Sequence, residues 1–104
     1  MNERIAKLPK DELGRFCRRN HIRRMSLFGS ILRDDFRPDS DVDVLVEFET
    51  GQTPGLAFFL LPQQLEPIFG RPVDLTTRAA VEASGNHLRR SSILDSAVEV
   101  YAER

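Results

Sequence analysis

Hydrophobic residues alternate with polar residues in several short stretches of the chain, and this period of two predicts β-strands. The clearest stretch is 41–48, in which three valines point to one face while two aspartates and a leucine point to the other. Residues 22–28 and 71–76 are predicted to form two more strands, and 97–101 a short last one. The chain therefore has enough strands for a small β-sheet.

Helical patterns lie between the predicted strands. A first helix is expected over about 9–20, with its apolar residues on one face. A short helical turn should follow the strand at 22–28, with Ser30 as its N-terminal cap. Residues 77–94 are predicted to be helical in part, with an interruption at 84–86.

The segment 53–69 is also predicted to be helical, although it is apolar on more than one side. Its apolar run 56–61 is expected to lie mainly in the core, and part of it could instead form a surface for a partner. Pro62 and Pro67 should kink or split this helix, because proline cannot donate the helical backbone hydrogen bond.

The resulting order is helix, strand, helix, strand, helix, strand, helix, which indicates an α/β architecture. The second and third strands are joined by a helical crossover, so we expect them to be adjacent and parallel. At 104 residues, the whole chain 1–104 is expected to fold as one domain.

Composition narrows the possible functions. The net charge is −1, so no strong direct binding to nucleic acid is expected. The only cysteine, Cys17, excludes an internal disulfide and is expected to be a small buried hydrophobe. The chain starts with charged residues, and its longest apolar run is too short to cross a bilayer. No membrane association and a cytoplasmic location are therefore expected.

Candidate chemistry is concentrated between the first two strands. Asp41 and Asp43 lie two residues apart on a strand and point to the same face, with Cβ atoms roughly 6–7 Å apart. Two ionised carboxylates this close repel each other, and a hard divalent cation such as Mg²⁺ removes the penalty. Gly29 permits close backbone approach, and the N–H groups that follow it and the Ser30 hydroxyl can bind phosphate oxygens.

Asp74 lies on the predicted neighbouring strand, on the face opposite its apolar neighbours. A third carboxylate there could complete a two-metal site or accept the proton of an incoming hydroxyl. Each feature also has a plainer interpretation: a Gly-Ser pair is commonly a turn, an Asp-x-Asp pair a solvated strand end, and Asp74 an exposed strand residue. His21 and His87 are isolated from the aspartates in sequence and are expected at the surface or at helix ends.

Taken together, Gly29-Ser30, ten further residues and Asp41-Val42-Asp43 resemble the GSx₁₀DxD signature of the DNA polymerase β-like nucleotidyltransferase superfamily. The segments LFGSILRDDFRPDSDVDVLVEFE and FGRPVDL are most similar to its minimal nucleotidyltransferase branch, and the resemblance extends over roughly residues 23–101. It implies the nucleotidyltransferase fold, with a small mixed sheet of three to four strands flanked by helices.

The resemblance implies roles for individual residues. Asp41 and Asp43 match the metal ligands of the family, and Asp74 matches the third carboxylate, which joins the metal site or acts as the base. Gly29 and Ser30 match the contact with the nucleotide phosphates. The implied substrate is ATP, and the implied cofactor is Mg²⁺, as a pair of ions.

Arg33 matches a common arginine of the short helix, which either touches phosphate or forms a structural ion pair. Two positions depart from the family pattern. Family members often carry glycine where this chain has Asp34, and many have a small residue where Leu32 stands. A residue at the end of a short helix can need a positive φ, so the loop geometry here is expected to differ mildly.

Members of this branch commonly act as antitoxins encoded next to an all-helical HEPN toxin. The resemblance thus implies a protein adenylyltransferase that moves AMP from ATP to a tyrosine of a cognate HEPN-type toxin. Two alternatives remain open: a non-catalytic antitoxin or adaptor that neutralises its partner by binding, and, less favoured, a small-molecule nucleotidyltransferase. The chain has little length beyond the nucleotide-binding fold. The acceptor is therefore expected on another protein or copy, in a hetero-oligomer with the toxin or a homo-oligomer.

Overall fold

The computed structural model describes residues 3–33, 36–37 and 39–103. Its elements in chain order are α1 Glu3–Ala6, α2 Lys10–Arg19, β1 Ile22–Phe28, a 3₁₀ turn Gly29–Leu32, β2 Val42–Phe48, a 3₁₀ helix Leu56–Leu60, α3 Leu61–Phe69, β3 Val73–Thr77, α4 Arg78–Glu82, α5 His87–Ser96 and β4 Val98–Ala102. The predicted strands are confirmed with bounds shifted by no more than two residues. The predicted interruption at 84–86 is also confirmed, because it separates α4 from α5.

The four strands form one mixed sheet in the order β3-β2-β1-β4. β1 is antiparallel to both β2 and β4, whereas β2 and β3 are parallel. The segment between β2 and β3 contains α3, which makes this the helical crossover that the sequence predicts. The carboxyl end of β1 consequently lies beside the start of β2.

Both faces of the sheet carry apolar residues. The valines of β2 point to one face, where the main core cluster also contains buried residues of α1, α2 and α3. Leu45 points to the other face and packs with Val81 of α4 and Ile93 of α5. Strand alternation therefore places Asp43 of β2 on the same face as Leu45, outside the main core.

The apolar run 56–61 does not lie mainly in the core. The exposed fractions of Leu56, Phe59 and Leu60 are 86%, 71% and 55%, whereas Leu61 is buried. The reason is that Leu56–Leu60 forms a separate 3₁₀ helix ahead of α3. Phe58 alone in that helix packs against the main core cluster, and its ring meets Phe48 edge-to-face at 6.3 Å.

The prolines of α3 have different positions in the helix. The predicted split is found between Leu60 and Leu61, where the 3₁₀ helix ends and α3 begins. Pro62 lies in the first turn of α3. A backbone N–H at this position would have no acceptor within the helix, so the lack of one in proline costs no helical hydrogen bond. Pro67 lies inside α3, which nevertheless continues to Phe69. The predicted split of the segment is therefore confirmed just ahead of Pro62, which lies at the start of the second helix.

The prediction of Ser30 as a helix cap is wrong. The 3₁₀ turn starts one residue earlier, at Gly29, and the preceding Phe28 has extended backbone angles. The turn is closed by the N–H of Arg33, which donates to the Ser30 carbonyl at 2.9 Å. The departure from the family pattern at Asp34 lies outside the described residues.

No helix within residues 3–33, 36–37 and 39–103 is long and apolar enough to cross a membrane.

The position of Cys17 leads to a first test. Its side chain is fully buried, and this burial raises the pKa of the thiol to about 12. Only the thiolate reacts readily, so a thiol reagent at about pH 8 should leave the native protein unlabelled and should label the urea-denatured protein completely. Equal labelling rates in the two states, followed by intact mass, would contradict this placement of Cys17.

Candidate active site

The site begins where β1 passes into the 3₁₀ turn. Phe28, the last residue of β1, pairs with Asp43 of β2, so Gly29 and Ser30 follow directly beside the aspartate. Gly29 has a φ of +76°, and a Cβ built on it would lie 2.1 Å from Asp43 Oδ2. Both the backbone angle and the close approach require glycine here.

Three aspartates meet on one face of the sheet. Asp43 and Asp74 are register partners in the parallel pairing of β2 with β3, so their side chains stand side by side. Asp41 precedes β2 and is exposed, as is Asp74, whereas Asp43 is half-buried between them. The structure thus brings together the carboxylates that the sequence places on two separate strands.

Asp43 is the electrostatic centre of this group. Burial raises the pKa of its carboxyl, and the negative charges of Asp74 and Asp41 raise it further. The backbone N–H of Ser30 donates to this carboxylate, and the positive charge of Arg33 also acts to lower the pKa, but neither cancels the increase. A cation placed between the carboxylates would remove the repulsion, because it favours their ionised forms.

The donor set fits a hard divalent cation. Carboxylate oxygens are the protein ligands that Mg²⁺ prefers, and Mg²⁺ usually completes its shell with water and substrate phosphates. Within the described part of the chain, no group of three or more His, Cys, Asp or Glu side chains, the three aspartates included, is arranged to hold a metal ion by itself. The three aspartates would accordingly supply part of the coordination shell, and a bound nucleotide and water would supply the rest.

Ser30 directs its polar groups toward the aspartates. Its hydroxyl donates to the carbonyl of Asp41 at 3.5 Å, a long hydrogen bond, and its N–H donates to the Asp43 carboxylate. Arg33 follows the turn, is exposed, and lies close enough to act on the charge of Asp43. The predicted phosphate contacts of Gly29, Ser30 and Arg33 stay predictions, and the structure places all three residues beside the carboxylates.

Two arginines outside the sequence motif hold the loop between the 3₁₀ turn and β2. Arg4 Nη1 donates to the carbonyl of Arg33 at 3.0 Å, and Arg71 Nη1 donates to the carbonyl of Arg37 at 2.5 Å. Both guanidinium groups lie near the ring of Phe36, at 5.2 Å for Arg4 and 4.3 Å for Arg71. These contacts join α1 and the segment just before β3 to the loop that leads into Asp41.

Removing one of these arginines should loosen the loop. We expect Arg71→Ala to speed limited chymotrypsin cleavage after Phe36 roughly tenfold, because one cation–π contact and one charged hydrogen bond are lost. Arg15→Ala, at an exposed position of α2, is the matched control and should cleave at the wild-type rate. Equal cleavage of wild type and Arg71→Ala, measured by mass spectrometry over time, would show that Arg71 does not hold the loop.

The fold agrees with what the family comparison finds. Residues 10–100 match the model of the nucleotidyltransferase domain. The chain belongs to this family and is a nucleotidyltransferase.

One relative with a named activity is the protein adenylyltransferase MntA of Thermococcus cleftensis. It is 38% identical over 63 residues, which is 60% of this chain and 62% of that protein. The match therefore spans less than two thirds of the relative, so its activity as a whole protein does not transfer automatically to this chain.

Solved structures with the same fold include a minimal nucleotidyltransferase that is 31% identical to this chain. The two superpose with a TM-score of 0.64 over 86% of each chain. A toxin–antitoxin structure with AMP-PNP superposes with a TM-score of 0.69 over 93% of this chain and 76% of that chain, at 18% identity. At that identity the second likeness concerns the fold alone.

Proposed function

We propose that this chain transfers AMP from ATP to a hydroxyl group of a partner protein in a Mg²⁺-dependent reaction. The observation that carries the proposal is the convergence of the Gly29-Ser30 turn with Asp41, Asp43 and Asp74 on one face of the sheet. Nucleotidyl transfer depends mainly on positioning and on neutralising phosphate charge, and this arrangement would supply both once Mg²⁺ is bound to the aspartates. The named activity of the MntA relative supports the choice of AMP and of a protein acceptor.

Each residue has a proposed part in the reaction. Asp41, Asp43 and Asp74 would hold a pair of Mg²⁺ ions. When bound, the ions would neutralise the charge of the triphosphate and polarise it for attack. Gly29 leaves room for the triphosphate and Ser30 donates to its oxygens, while Arg33 adds positive charge at the same place.

The chemical step exchanges the phosphoanhydride bond between the α- and β-phosphates of ATP for a phosphoester bond to the acceptor. The acceptor oxygen forms a bond to the α-phosphorus of ATP, and the bond from that phosphorus to the β-phosphate oxygen breaks, releasing pyrophosphate. The proton of the acceptor hydroxyl must leave during the attack. Asp74 is exposed and sits beside Asp43 on the edge strand β3, so an incoming hydroxyl can reach it, and we assign it as the base.

The proposed acceptor is a tyrosine of a cognate HEPN-type toxin, which would make this chain an antitoxin that forms a hetero-oligomer with its toxin. The toxin–antitoxin nature of a structure with the same fold supports this choice of partner. ATP as the substrate is consistent with the cytoplasm, which we propose as its location.

Pyrophosphate release tests the reaction. Wild-type protein mixed with ATP, Mg²⁺ and the proposed HEPN-type toxin should release pyrophosphate in proportion to the partner added. Release should stop when EDTA is present or when the partner is left out. Pyrophosphate that appears at the same rate without the partner would contradict a protein acceptor.

A second candidate function is neutralisation by binding alone. The exposed Leu56, Phe59 and Leu60 favour it, because apolar patches on a surface commonly mark protein interaction sites. Toxin activity in the presence of Asp41→Asn separates the two functions. Full neutralisation by this variant, with the toxin unmodified, would favour binding over catalysis.

A further inference from the structure

A groove runs along the outer edge of β3, which pairs only with β2 in the part of the sheet that the structure describes. Two depressions border this edge, and Thr76 and Ala80 line both, so they adjoin at these two residues and together make up the surface of the edge. We call this surface the β3 groove. Its lining includes Pro54, Phe58, Phe59, Thr76, Arg89 and Arg90.

One end of the β3 groove is apolar. Pro54, Phe58 and Phe59 line it, and Leu56 and Leu60 stand close by in the same 3₁₀ helix. Phe59 remains 71% exposed and Leu56 86% exposed, although both are large apolar side chains. Such a patch is costly to leave in water, so this end is suited to the apolar side chain of another molecule.

The other end is cationic. Arg90 Nη1 donates to the carbonyls of Glu82 and Ser84, at 3.4 Å and 3.2 Å, which holds this guanidinium at the rim. Arg89 lines the same depression. Among the described residues, no carboxylate lies within ion-pair distance of either guanidinium, in contrast to Arg78, which pairs with Glu82. The end that these arginines line therefore favours negatively charged groups.

The middle of the groove lies next to the candidate base. Thr76 is two residues beyond Asp74 on β3, so both side chains point to the same face, at a separation of roughly 6–7 Å. A chain segment lying in the groove would pass within side-chain reach of Asp74. This placement links the groove to the reaction, since it brings a residue of the occupant to the carboxylate that would take its proton.

We propose that the β3 groove binds the acceptor segment of the protein partner. The segment carries an apolar anchor at the Phe59 end and acidic residues at the Arg89 and Arg90 end, and it presents its hydroxyl to Asp74. This inference rests on the proposed function, because it concerns the acceptor of the same reaction. A second copy of this chain and the nucleotide itself are the competing occupants.

The test uses two synthetic peptides with a central tyrosine and a leucine anchor. In the first peptide, aspartates stand on the side of the tyrosine opposite the leucine. The second peptide has lysines at the positions of those aspartates. Fluorescence anisotropy gives the affinity of each peptide for the wild type, for Arg89→Glu and for Phe59→Ser. Arg15→Glu is the matched charge control, because Arg15 is exposed on α2 and outside the groove. Affinity for ATP with Mg²⁺ and the molar mass in solution are measured on the same proteins.

The wild type should bind the aspartate peptide at least about tenfold more tightly than the lysine peptide, and Arg89→Glu should reverse this preference. Phe59→Ser should weaken both peptides, and Arg15→Glu should change neither. Affinity for ATP should stay within about twofold in every variant, because the groove is not the triphosphate site. Thermal unfolding of the variants confirms that they are folded.

Several outcomes would overturn the inference: no binding of either peptide, an unchanged preference in Arg89→Glu, or a parallel loss of ATP affinity that assigns the arginines to the nucleotide. A dimer of the wild type that Phe59→Ser dissociates would assign the groove to a second copy.

Asp74→Asn separates this inference from the proposed function, since it should bind the aspartate peptide normally and transfer no AMP. If the wild type binds the peptides through the groove but transfers no AMP, the proposed activity is wrong and the groove is still the peptide-binding site. If AMP transfer is unchanged in Arg89→Glu and in Phe59→Ser, the groove is not the acceptor site and the proposed activity stands.

Discussion

Replacing Asp43 with asparagine should lower AMP transfer by on the order of a hundredfold to a thousandfold, the range seen when one electrostatic stabiliser is removed from an active site. Asp43 is the middle carboxylate of the three and accepts a hydrogen bond from the N–H of Ser30. Asparagine has nearly the same shape and can still accept that hydrogen bond, so the substitution removes the charge while keeping the geometry.

The stability of this variant should not follow its activity. Burial and the charges of Asp74 and Asp41 raise the pKa of Asp43 in the folded chain, so its ionised form is less favourable there than in the unfolded chain. The contribution of this group to stability is therefore greatest at low pH and is lost as the pH rises through the raised pKa. The neutral asparagine avoids that loss, and near neutral pH the melting temperature should stay the same or rise.

Transfer rate and melting temperature of Asp43→Asn, both measured without added stabilisers, check the two expectations together. Asp95→Asn, an exposed aspartate of α5, is the control and should keep both properties. A large fall in melting temperature for Asp43→Asn would mean that Asp43 has a structural role. An unchanged rate of AMP transfer would show that Asp43 is not part of the active site.

Replacing Gly29 with alanine should lower AMP transfer roughly a hundredfold by a different route. The added Cβ would lie 2.1 Å from Asp43 Oδ2, so the aspartate or the turn must shift. A displacement of about 1 Å at a reacting group can cost roughly a hundredfold in rate. The positive φ of Gly29 adds about 1–3 kcal/mol of strain once a side chain is present.

Gly51→Ala separates the contact from the strain. Gly51 has the same φ of +76°, but nothing lies within 4 Å of where its Cβ would be. Gly51→Ala should therefore lose only the stability that the strain costs and keep transfer, while Gly29→Ala should lose at least as much stability in chemical denaturation and also lose transfer. If Gly51→Ala lost transfer to the same extent, general destabilisation would account for both variants, and the close approach at Gly29 would have no separate effect.

Much of the sheet can be predicted from the sequence, because strict alternation of apolar and polar residues in a short segment is typical of a strand with one buried face. The strand predicted at 41–48 starts one residue later, at Val42, and its valines do form the core face. A helical crossover makes β2 and β3 parallel neighbours, which predicts that Asp74 lies near the Asp41–Asp43 pair. The register that sets Asp74 beside Asp43 could not be predicted, since a slip of one residue would turn Asp74 to the opposite face.

The contacts outside the motif could not be predicted for a related reason. The hydrophobicity of a residue does not show whether the fold offers it a place in the core. The apolar character of Leu56 and Phe59 predicts burial, whereas the 3₁₀ helix leaves both exposed. The placement of Arg4 and Arg71 around Phe36 joins three segments far apart in the chain. No local pattern records such a contact, and a solvated position on the surface is the ordinary expectation for an arginine.

The intact mass of the partner protein tests the central claim most directly. The partner is incubated with ATP and Mg²⁺ together with either the wild type or Asp43→Asn. We predict that the partner gains the mass of one or more whole AMP units with the wild type, at a tyrosine, and gains none with Asp43→Asn. A partner that keeps its original mass with the wild type, or that is modified equally by both proteins, would contradict this prediction.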